Sequence, residues 1–250
     1  MQKVVIIDGN IFTSKMQTIV NTINCVGIMG AGIALECRLR YPEMFRKYVS
    51  HCKSGNLDIG KLWLFRGGDR WILNFPTKKH WKYPSKEEYI HCGLQKFVDT
   101  YQSKGIKSIA FPVLGAQNGG LSPNISMGIM LTHLEKCDIP VEIYRHNPQA
   151  TDDLFIRFKQ IFLSSSSDWL KSETGLTKGR IETIRTGLLD PNIFQINQLA
   201  KIQGIGDKTL EKAFLFMHNT TIVQSEMVIG DLDSCNNSTN PQAPSAHSPP

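Results

Sequence analysis

The sequence lacks any apolar run long enough to cross a lipid bilayer. Apolar stretches such as Val4–Ile7 and Ile106–Leu114 fall far short of the roughly 20 residues that a spanning helix needs. Met1 to Lys3 lead straight into a strand-like VVIID, without the apolar segment of a signal peptide. We therefore expect a soluble intracellular protein with no membrane partner, cytoplasmic, or nuclear if the source is eukaryotic.

Cysteine occurs without a metal-binding or redox pattern. The six cysteines form no CxxC pair and no spacing typical of a zinc site. In a reducing compartment they are expected to be free, buried thiols. The sequence predicts no metal site and no cofactor.

Basic residues are missing from the last thirty positions, although the chain as a whole is basic. The formal net charge is +6, and these thirty residues hold three acidic and no basic side chains, so the remainder carries +9. Such an excess favours an anionic partner, of which nucleic acid is the usual one, although a general need for solubility also explains it.

The first 150 residues alternate strand-like and helix-like patterns. Strands are predicted at 4–8, 18–22, 61–65, 71–75, 108–112 and 141–144, and helices at 32–39, 43–52, 86–101 and 126–137. This alternation predicts an α/β domain of three layers with a mixed central sheet. Ligands of such sheets bind at the carboxyl ends of the strands.

From residue 151 the pattern is helical only. Helices are predicted at 154–162, 168–172, 178–186, 193–201 and 208–217, with a serine linker at 164–167. After about residue 223 the composition is rich in Asn, Ser, Thr and Pro, which is typical of disorder. We therefore divide the chain into an α/β domain (1–150), a small helical segment (164–218) and a disordered tail (219–250).

Two glycine-bearing loops follow strands of the predicted sheet. Gly30 and Gly32 come after a strand that ends in two asparagines, and they open a helix whose N-terminus favours an anion. A second loop, Gly115–Gly120, offers backbone amides for a phosphate. Either loop alone is equally explained as a tight turn. Together they favour one pocket for a nucleotide diphosphate.

The strand at 71–75 leads into Thr77, Lys78, Lys79, His80 and Trp81. A lysine beside another lysine, when partly desolvated, has a lowered pKa and becomes a usable nucleophile or acid. A solvated basic loop is the alternative interpretation.

These motifs together resemble one known family. GNIF at 9–12, VNTINCVGIMGAGIA at 20–34, NFPTKKHW at 74–81 and FPVLGAQNGGL at 111–121 resemble the macrodomain family, and within it the DarG-type DNA ADP-ribosyl glycohydrolase antitoxins. The resemblance covers about residues 1–148. It implies hydrolysis of the bond between ADP-ribose and a nucleobase of DNA, with a cognate ADP-ribosyltransferase toxin as a partner.

The resemblance also implies roles for individual residues. Lys78 and Asn24 are the expected catalytic residues: Lys78 acts at the anomeric carbon of the distal ribose, as nucleophile or electrostatic partner, and Asn24 contacts that ribose. Lys79, His80 and Trp81 are expected to contact nucleic acid. The residues expected to bind ADP-ribose are Asn10, Ile11, Asn21, Gly30, Ala31, Gly32, Thr77, Leu114, Gly115, Gln117, Asn118, Gly119, Gly120 and Tyr144.

One departure from the family lies in the second loop, which reads GAQNGG where the family usually has GCGNGG. Gln117 adds a side chain where the backbone approaches phosphate, so affinity falls or the loop changes shape unless the side chain points outward. The loop has no aspartate to pair with Lys78, which favours the DNA-directed branch.

The stretch around Gly204, Ile205, Gly206 and Lys208 resembles a helix–hairpin–helix. Hairpin amides at a helix N-terminus, with one lysine, grip a DNA phosphate without reading sequence. A purely structural hairpin is the alternative.

Three other functions remain open at this stage. The domain is a reader that binds ADP-ribose without cleaving it, or it acts on ADP-ribose 1″-phosphate as a phosphatase. Alternatively, the chain is a nucleic-acid-binding adaptor whose macrodomain is vestigial.

Overall fold

The computed structural model describes residues 3–68 and 70–220, and within them one mixed sheet forms the centre of the molecule. Its strand order is β1-β6-β5-β2-β4-β3, and every neighbouring pair is parallel except β3 with β4. The strands are β1 (Val4–Gly9), β2 (Thr18–Asn24), β3 (Trp63–Arg66), β4 (Trp71–Lys78), β5 (Ile109–Pro112) and β6 (Val141–His146).

Helices cover both faces of this sheet, as predicted. Successive strand residues point to opposite faces, so Ile72 packs under α1 and α2 whereas Leu73 packs under α3 and α4. The α/β domain, residues 3–150, therefore has three layers. Its helices are α1 (Gly32–Arg40), α2 (Pro42–Lys53), α3 (Glu87–Thr100) and α4 (Pro123–Leu134).

Strand β4 runs three residues beyond its predicted end at 75. Ile23 of β2 pairs with Pro76, but the next residue, Asn24, pairs with Lys78, so Thr77 is skipped. Proline has no N–H to donate to a neighbouring strand, so sheets tolerate it mainly at irregularities such as this register shift. The irregularity brings Lys78 beside Asn24 at the carboxyl end of the sheet.

The C-terminal helices form what we call the helical module, residues 155–220. The segment predicted as a helix at 193–201 is a shorter 3₁₀ helix. The serine linker is instead a helix start, because the Ser166 hydroxyl accepts a hydrogen bond from the Trp169 amide at 3.2 Å. The helices are α5 (Phe155–Ser164), α6 (Ser167–Thr174), α7 (Lys178–Leu188), the 3₁₀ helix (Ile196–Lys201) and α8 (207–220).

The predicted tail falls almost entirely outside the description. Residues 219 and 220 continue α8 and are therefore not part of a disordered segment. The rest of the predicted tail, 221–250, lies outside the described residues. No helix in the described ranges is long and apolar enough to cross a membrane.

The helical module shares an apolar core with the α/β domain. Leu39 of α1 lies in one cluster with Phe158 and Phe162 of α5, Ile184 of α7 and Phe214 of α8. Helix α5, which the division made from sequence left outside both parts, thus packs into the module.

Arg40, at the end of α1, joins the two parts through buried charge. Its Nε donates to Glu36 at 2.8 Å, and its guanidinium pairs with Asp153 at 2.8 Å. The same guanidinium lies 4.1 Å from the ring centroid of Phe12 in the α/β domain and 5.5 Å from that of Phe214 in α8. The module is therefore fixed against the carboxyl edge of the sheet.

Candidate active site

A cleft of about 860 Å³ opens at the carboxyl ends of the strands, within the size range of small-molecule sites. Asn10, which follows β1, and Tyr144, on β6, line one end of the cleft. We call it the β1 end. Asn24, Thr77 and Lys78, at the ends of β2 and β4, line the other, which we call the β4 end.

Most of the residues expected to bind a ligand lie in this cleft, together with Trp81 from the predicted nucleic-acid set. The structure brings together Asn10, Ile11, Asn24, Gly30, Ala31, Gly32, Thr77, Lys78, Gly115, Gln117, Asn118, Gly119 and Tyr144.

Besides the hairpin residues Gly204, Gly206 and Lys208, five expected site residues do not line the cleft. Asn21 is fully buried beneath it and donates to the Asn74 side chain at 2.9 Å, so its position corrects the expected ligand contact. Leu114 is also fully buried, and its carbonyl accepts from the Ser126 hydroxyl at 2.6 Å. Both anchor the site from below. The remaining three, Gly120, Lys79 and His80, lie outside the cleft wall.

Lys78 ends β4 with its side chain in the cleft. Its ammonium donates to the Asn118 carbonyl of the second glycine loop. Partial burial lowers the pKa of Lys78, which increases its neutral fraction near neutral pH compared with an exposed lysine. The side chain is thus held in the cleft at the β4 end, beside the second glycine loop.

Cys25 lies near Lys78 but does not compete with it as a nucleophile. Its Sγ is 3.4 Å from the Lys78 carbonyl oxygen. Burial raises the pKa of Cys25 to about 11, so the thiol stays protonated at neutral pH.

Asn24 uses its side-chain amide to hold the turn that precedes α1. Its Oδ1 accepts from the Val26 amide at 3.0 Å and from the Tyr48 hydroxyl at 3.0 Å, and its Nδ2 donates to the Ile28 carbonyl at 2.5 Å. These bonds make Asn24 a positioning residue of the cleft wall. The second hydrogen of its Nδ2 has no partner among the described residues, and the expected contact with a ribose stays a prediction.

The second glycine loop needs glycine for its own path. Gly115 has φ +67°, and a Cβ on Gly119 would lie 2.1 Å from the Gly115 carbonyl oxygen. Gln117 is exposed and has an ordinary negative φ, so it occupies its position without strain. The backbone at position 117 therefore accepts a glutamine in place of the family's glycine.

The first glycine turn faces the second loop across the cleft. A Cβ on Gly32 would lie 2.8 Å from the side-chain Nδ2 of Asn118, which can move aside, and Gly32 has φ +56°. Glycine is thus favoured here by its backbone conformation.

Exposed aromatic rings follow β4 at the rim of the cleft. The Trp81 and Tyr83 side chains are 49% and 66% exposed, and the rings of both lie within 6 Å of the His80 ring, at 5.7 and 5.5 Å between centroids. The Lys82 ammonium lies 5.2 Å from the Trp81 ring centroid. Tyr83 was not identified from sequence.

Sequence reasoning also missed part of the cleft wall at the β1 end. His146 ends β6, Pro148 follows it, Glu36 lies on α1, and a further set comes from the helical module. No motif marked them, because contacts between segments so distant in sequence leave no local pattern. The module residues are Gln195, Asn197, Gln198 and Lys201.

The five described cysteines are all free, but they are not all buried. Cys37 and Cys137 are buried, whereas Cys92 is exposed, which corrects the expectation for that residue. Among the described residues no three His, Cys, Asp or Glu side chains are grouped to hold a metal ion. Cys235 lies outside the described residues.

Comparison with known proteins identifies relatives of the chain. The Macro domain model matches residues 20–130. A Thermus aquaticus protein named DNA ADP-ribosyl glycohydrolase is 40% identical over 149 residues, which cover 57% of this chain and 41% of that protein. The chain thus spans about two fifths of the length of the curated relatives it matches.

Solved structures give the same result. The structure described as Thermosipho africanus DarTG in complex with ADP-ribose is 35% identical, with TM-score 0.56, over 59% of this chain and 42% of that chain. The macrodomain of Mycobacterium tuberculosis DarG is 39% identical, with TM-score 0.55, over 56% of this chain and 96% of that chain. Since nearly the whole of that solved macrodomain is matched, the chain belongs to the macrodomain family.

Proposed function

We propose that this chain is an ADP-ribosyl glycohydrolase that releases ADP-ribose from nucleic acid, with bases of DNA as the point of attachment. The pairing of Lys78 with Asn24 at one end of a ligand-sized cleft carries the proposal. The 40% identity to a protein named DNA ADP-ribosyl glycohydrolase and the ADP-ribose complex of a related structure support it.

The cleft divides the ligand between its two ends. The amides of the two glycine loops, one of which opens α1, bind the diphosphate. The adenine lies at the β1 end near Asn10 and Tyr144, and the distal ribose lies at the β4 end near Lys78.

Hydrolysis takes place at the anomeric carbon of the distal ribose. The bond from this carbon to the base breaks, water supplies a hydroxyl group to the carbon, and a proton goes to the released base. Lys78 stabilises the opening ribose as a cation or attacks it as a neutral amine, and partial burial, which lowers its pKa, favours the second role compared with an exposed lysine.

The nucleic acid leaves the cleft past the exposed aromatic rings. Stacking of a base on such a ring contributes roughly 1–3 kcal/mol to the binding free energy, whichever base it is. Trp81 lines the cleft and Tyr83 lies beyond it, so a base next to the modified one is placed to stack there. Lys79 and His80 supply polar and charged groups at the same rim.

We further propose that the chain opposes a DNA ADP-ribosyl transferase. A Thermosipho africanus relative, 35% identical, is named a DNA ADP-ribosyl transferase-DNA ADP-ribosyl glycohydrolase fusion protein. An enzyme that removes ADP-ribose from DNA has a role where another attaches it. The chain would then act as an antitoxin or in repair.

The test is release of ADP-ribose from single-stranded DNA that carries it on a base. ADP-ribosylated protein and ADP-ribose 1″-phosphate serve as alternative substrates in parallel reactions. We expect turnover on DNA well above that on either alternative. Binding of ADP-ribose without turnover would make the domain a reader, and turnover of the 1″-phosphate alone would make it a phosphatase.

A further inference from the structure

The helical module builds a wall of the ligand cleft at its β1 end. Polar side chains of the segment 195–201 line the cleft there, whereas the Macro model ends at residue 130. This part of the surface is therefore contributed from outside the family's domain.

The segment is fastened to the loop that follows β6. Gln195 Nε2 donates to the Ala150 carbonyl at 2.7 Å, and Gln198 Nε2 donates to the Pro148 carbonyl at 2.7 Å. That loop is itself joined to β1, since the Asn147 amide donates to the Gly9 carbonyl at 3.1 Å. The 3₁₀ helix is thus held next to Asn10.

Asn197 presents a fixed amide to the cleft. Its Nδ2 donates to Glu36 Oε2 at 2.6 Å, and Glu36 is held in turn by Arg40. Within the described part of the chain Asn197 Oδ1 accepts no hydrogen bond, so it is open to a donor from a ligand. The orientation of the amide is set by a buried carboxylate, because Glu36 is only 3% exposed.

Lys201 adds a cation at the other end of the 3₁₀ helix. It lines the cleft, its side chain is exposed, and it makes no ion pair or hydrogen bond with another described side chain. An ammonium group donates to the ring nitrogens of a purine, to ribose hydroxyls or to a phosphate.

We propose that Asn197 and Lys201 are ligand-binding residues for the adenosine moiety, so that the complete site is shared between the α/β domain and the helical module. The proposal rests on the proposed function for the orientation of the ligand. Adenine offers an exocyclic amine as donor and ring nitrogens as acceptors, and asparagine is one of the side chains that pairs with it in other proteins.

The experiment measures binding of ADP-ribose and of ADP to the full chain by calorimetry. ADP contains the adenosine and the diphosphate but lacks the distal ribose, so it reports on the β1 end alone. The variants are Asn197→Ala, Lys201→Ala and Lys201→Glu. Lys171→Ala, which removes an exposed lysine of α6 outside the cleft, is the matched control.

We expect Asn197→Ala and Lys201→Ala each to lower the affinity for both ligands by the same factor, roughly five- to tenfold. Each variant loses a hydrogen bond to the adenosine that the two ligands share. Lys201→Glu should weaken them further, and Lys171→Ala should match the wild-type chain. Equal unfolding midpoints for all variants would show that the fold is kept.

Three results would overturn the inference. Affinities within a factor of two of wild type would show that the two side chains do not bind the ligand. A loss for ADP-ribose without a loss for ADP would place their effect elsewhere. If the wild-type chain binds neither ligand, the proposed function fails with the inference, whereas binding without hydrolysis leaves the inference standing.

Discussion

At the scale of single residues, substitution of Lys78 is expected to affect hydrolysis without affecting ligand binding. We predict that Lys78→Ala lowers the rate of ADP-ribose release from DNA by roughly two to four orders of magnitude, as loss of a catalytic side chain does, while ADP-ribose still binds. Rates under saturating substrate and calorimetric affinities measure the two quantities. Lys96→Ala, which removes an exposed lysine of α3, is the control.

Lys78→Arg distinguishes the two roles proposed for this residue. Arginine keeps the positive charge but has no neutral amine near pH 7. Retained activity in Lys78→Arg would assign an electrostatic role, and lost activity would assign a nucleophilic one. An unchanged rate in Lys78→Ala would remove Lys78 from the mechanism.

Gly119 is a second residue whose substitution has a defined consequence. A Cβ at this position collides with the Gly115 carbonyl at 2.1 Å, so even Gly119→Ala must open the loop that is expected to hold the diphosphate. We predict that ADP-ribose affinity falls by roughly tenfold or more, because the loop amides no longer converge. Gly128→Ala on α4 has no heavy atom within 4 Å of the new Cβ and should bind as wild type. Equal affinity for both variants would contradict this account.

At the scale of elements, sequence periodicity was sufficient to predict the three layers but not the C-terminal end of β4. Each predicted strand and helix of the α/β domain is present, because apolar alternation and helix starts are local signals. The extension of β4 to Lys78 depends on Pro76 and a register shift against β2, which no pattern within β4 reveals. Asn21 shows the same limit, since its contact with Asn74 is made across strands.

The junction between α1 and the helical module makes stability depend on pH. Burial raises the pKa of Glu36 to about 7, although Arg40 lowers it. The unfolded chain takes up this proton only near the ordinary value of 4.5, so between these values the folded state binds more protons. The contribution of protonated Glu36 to the free energy of unfolding is therefore fully present below about pH 4.5 and is lost as the pH rises through about 7.

We therefore predict that the free energy of unfolding of the wild-type chain falls relative to that of Glu36→Gln as the pH rises from 5 to 8, by up to about 3 kcal/mol. Urea unfolding at several pH values measures the difference. A residual slope remains in the variant, because burial also raises the pKa of Asp152. A constant difference between the two proteins would mean that Glu36 does not titrate in this range.

At the scale of the whole molecule, the sequence did not predict that the α/β domain and the helical module both line the cleft. The helical character of the C-terminal part was predicted, but its attachment was not. Leu39 and Phe158 meet in one core, and Arg40 reaches Asp153, only because α1 and α5 fold against each other. Deletion of the module would expose this core, so tests of its role use point substitutions in the full chain.

The hairpin at 202–207 sits where α8 begins, close to α1. The Gly206 carbonyl accepts from the amides of Thr209 and Leu210, so this glycine caps α8. Asp207 pairs with Arg38 of α1 at 2.6 Å. Gly204 has φ +91°, and Lys208 is exposed. The hairpin therefore has an exposed lysine next to it, while the Asp207 carboxylate is held by the α/β domain.

This arrangement leads to a prediction about DNA length. In the proposed binding mode nucleic acid leaves the cleft at the β4 end, whereas the module lines the β1 end. We therefore expect only long DNA to reach the hairpin. We predict that Gly204→Ala combined with Lys208→Glu raises the half-saturating concentration of long DNA and leaves cleavage of short oligonucleotides unchanged. The slope of log affinity against log salt should become shallower by about 1 to 2, the value for one or two phosphate contacts. Lys171→Glu makes the same change of charge on α6 and should keep the wild-type slope. If all three proteins share one slope and one affinity, the hairpin is a structural turn, and contact with DNA is confined to the rim around Trp81.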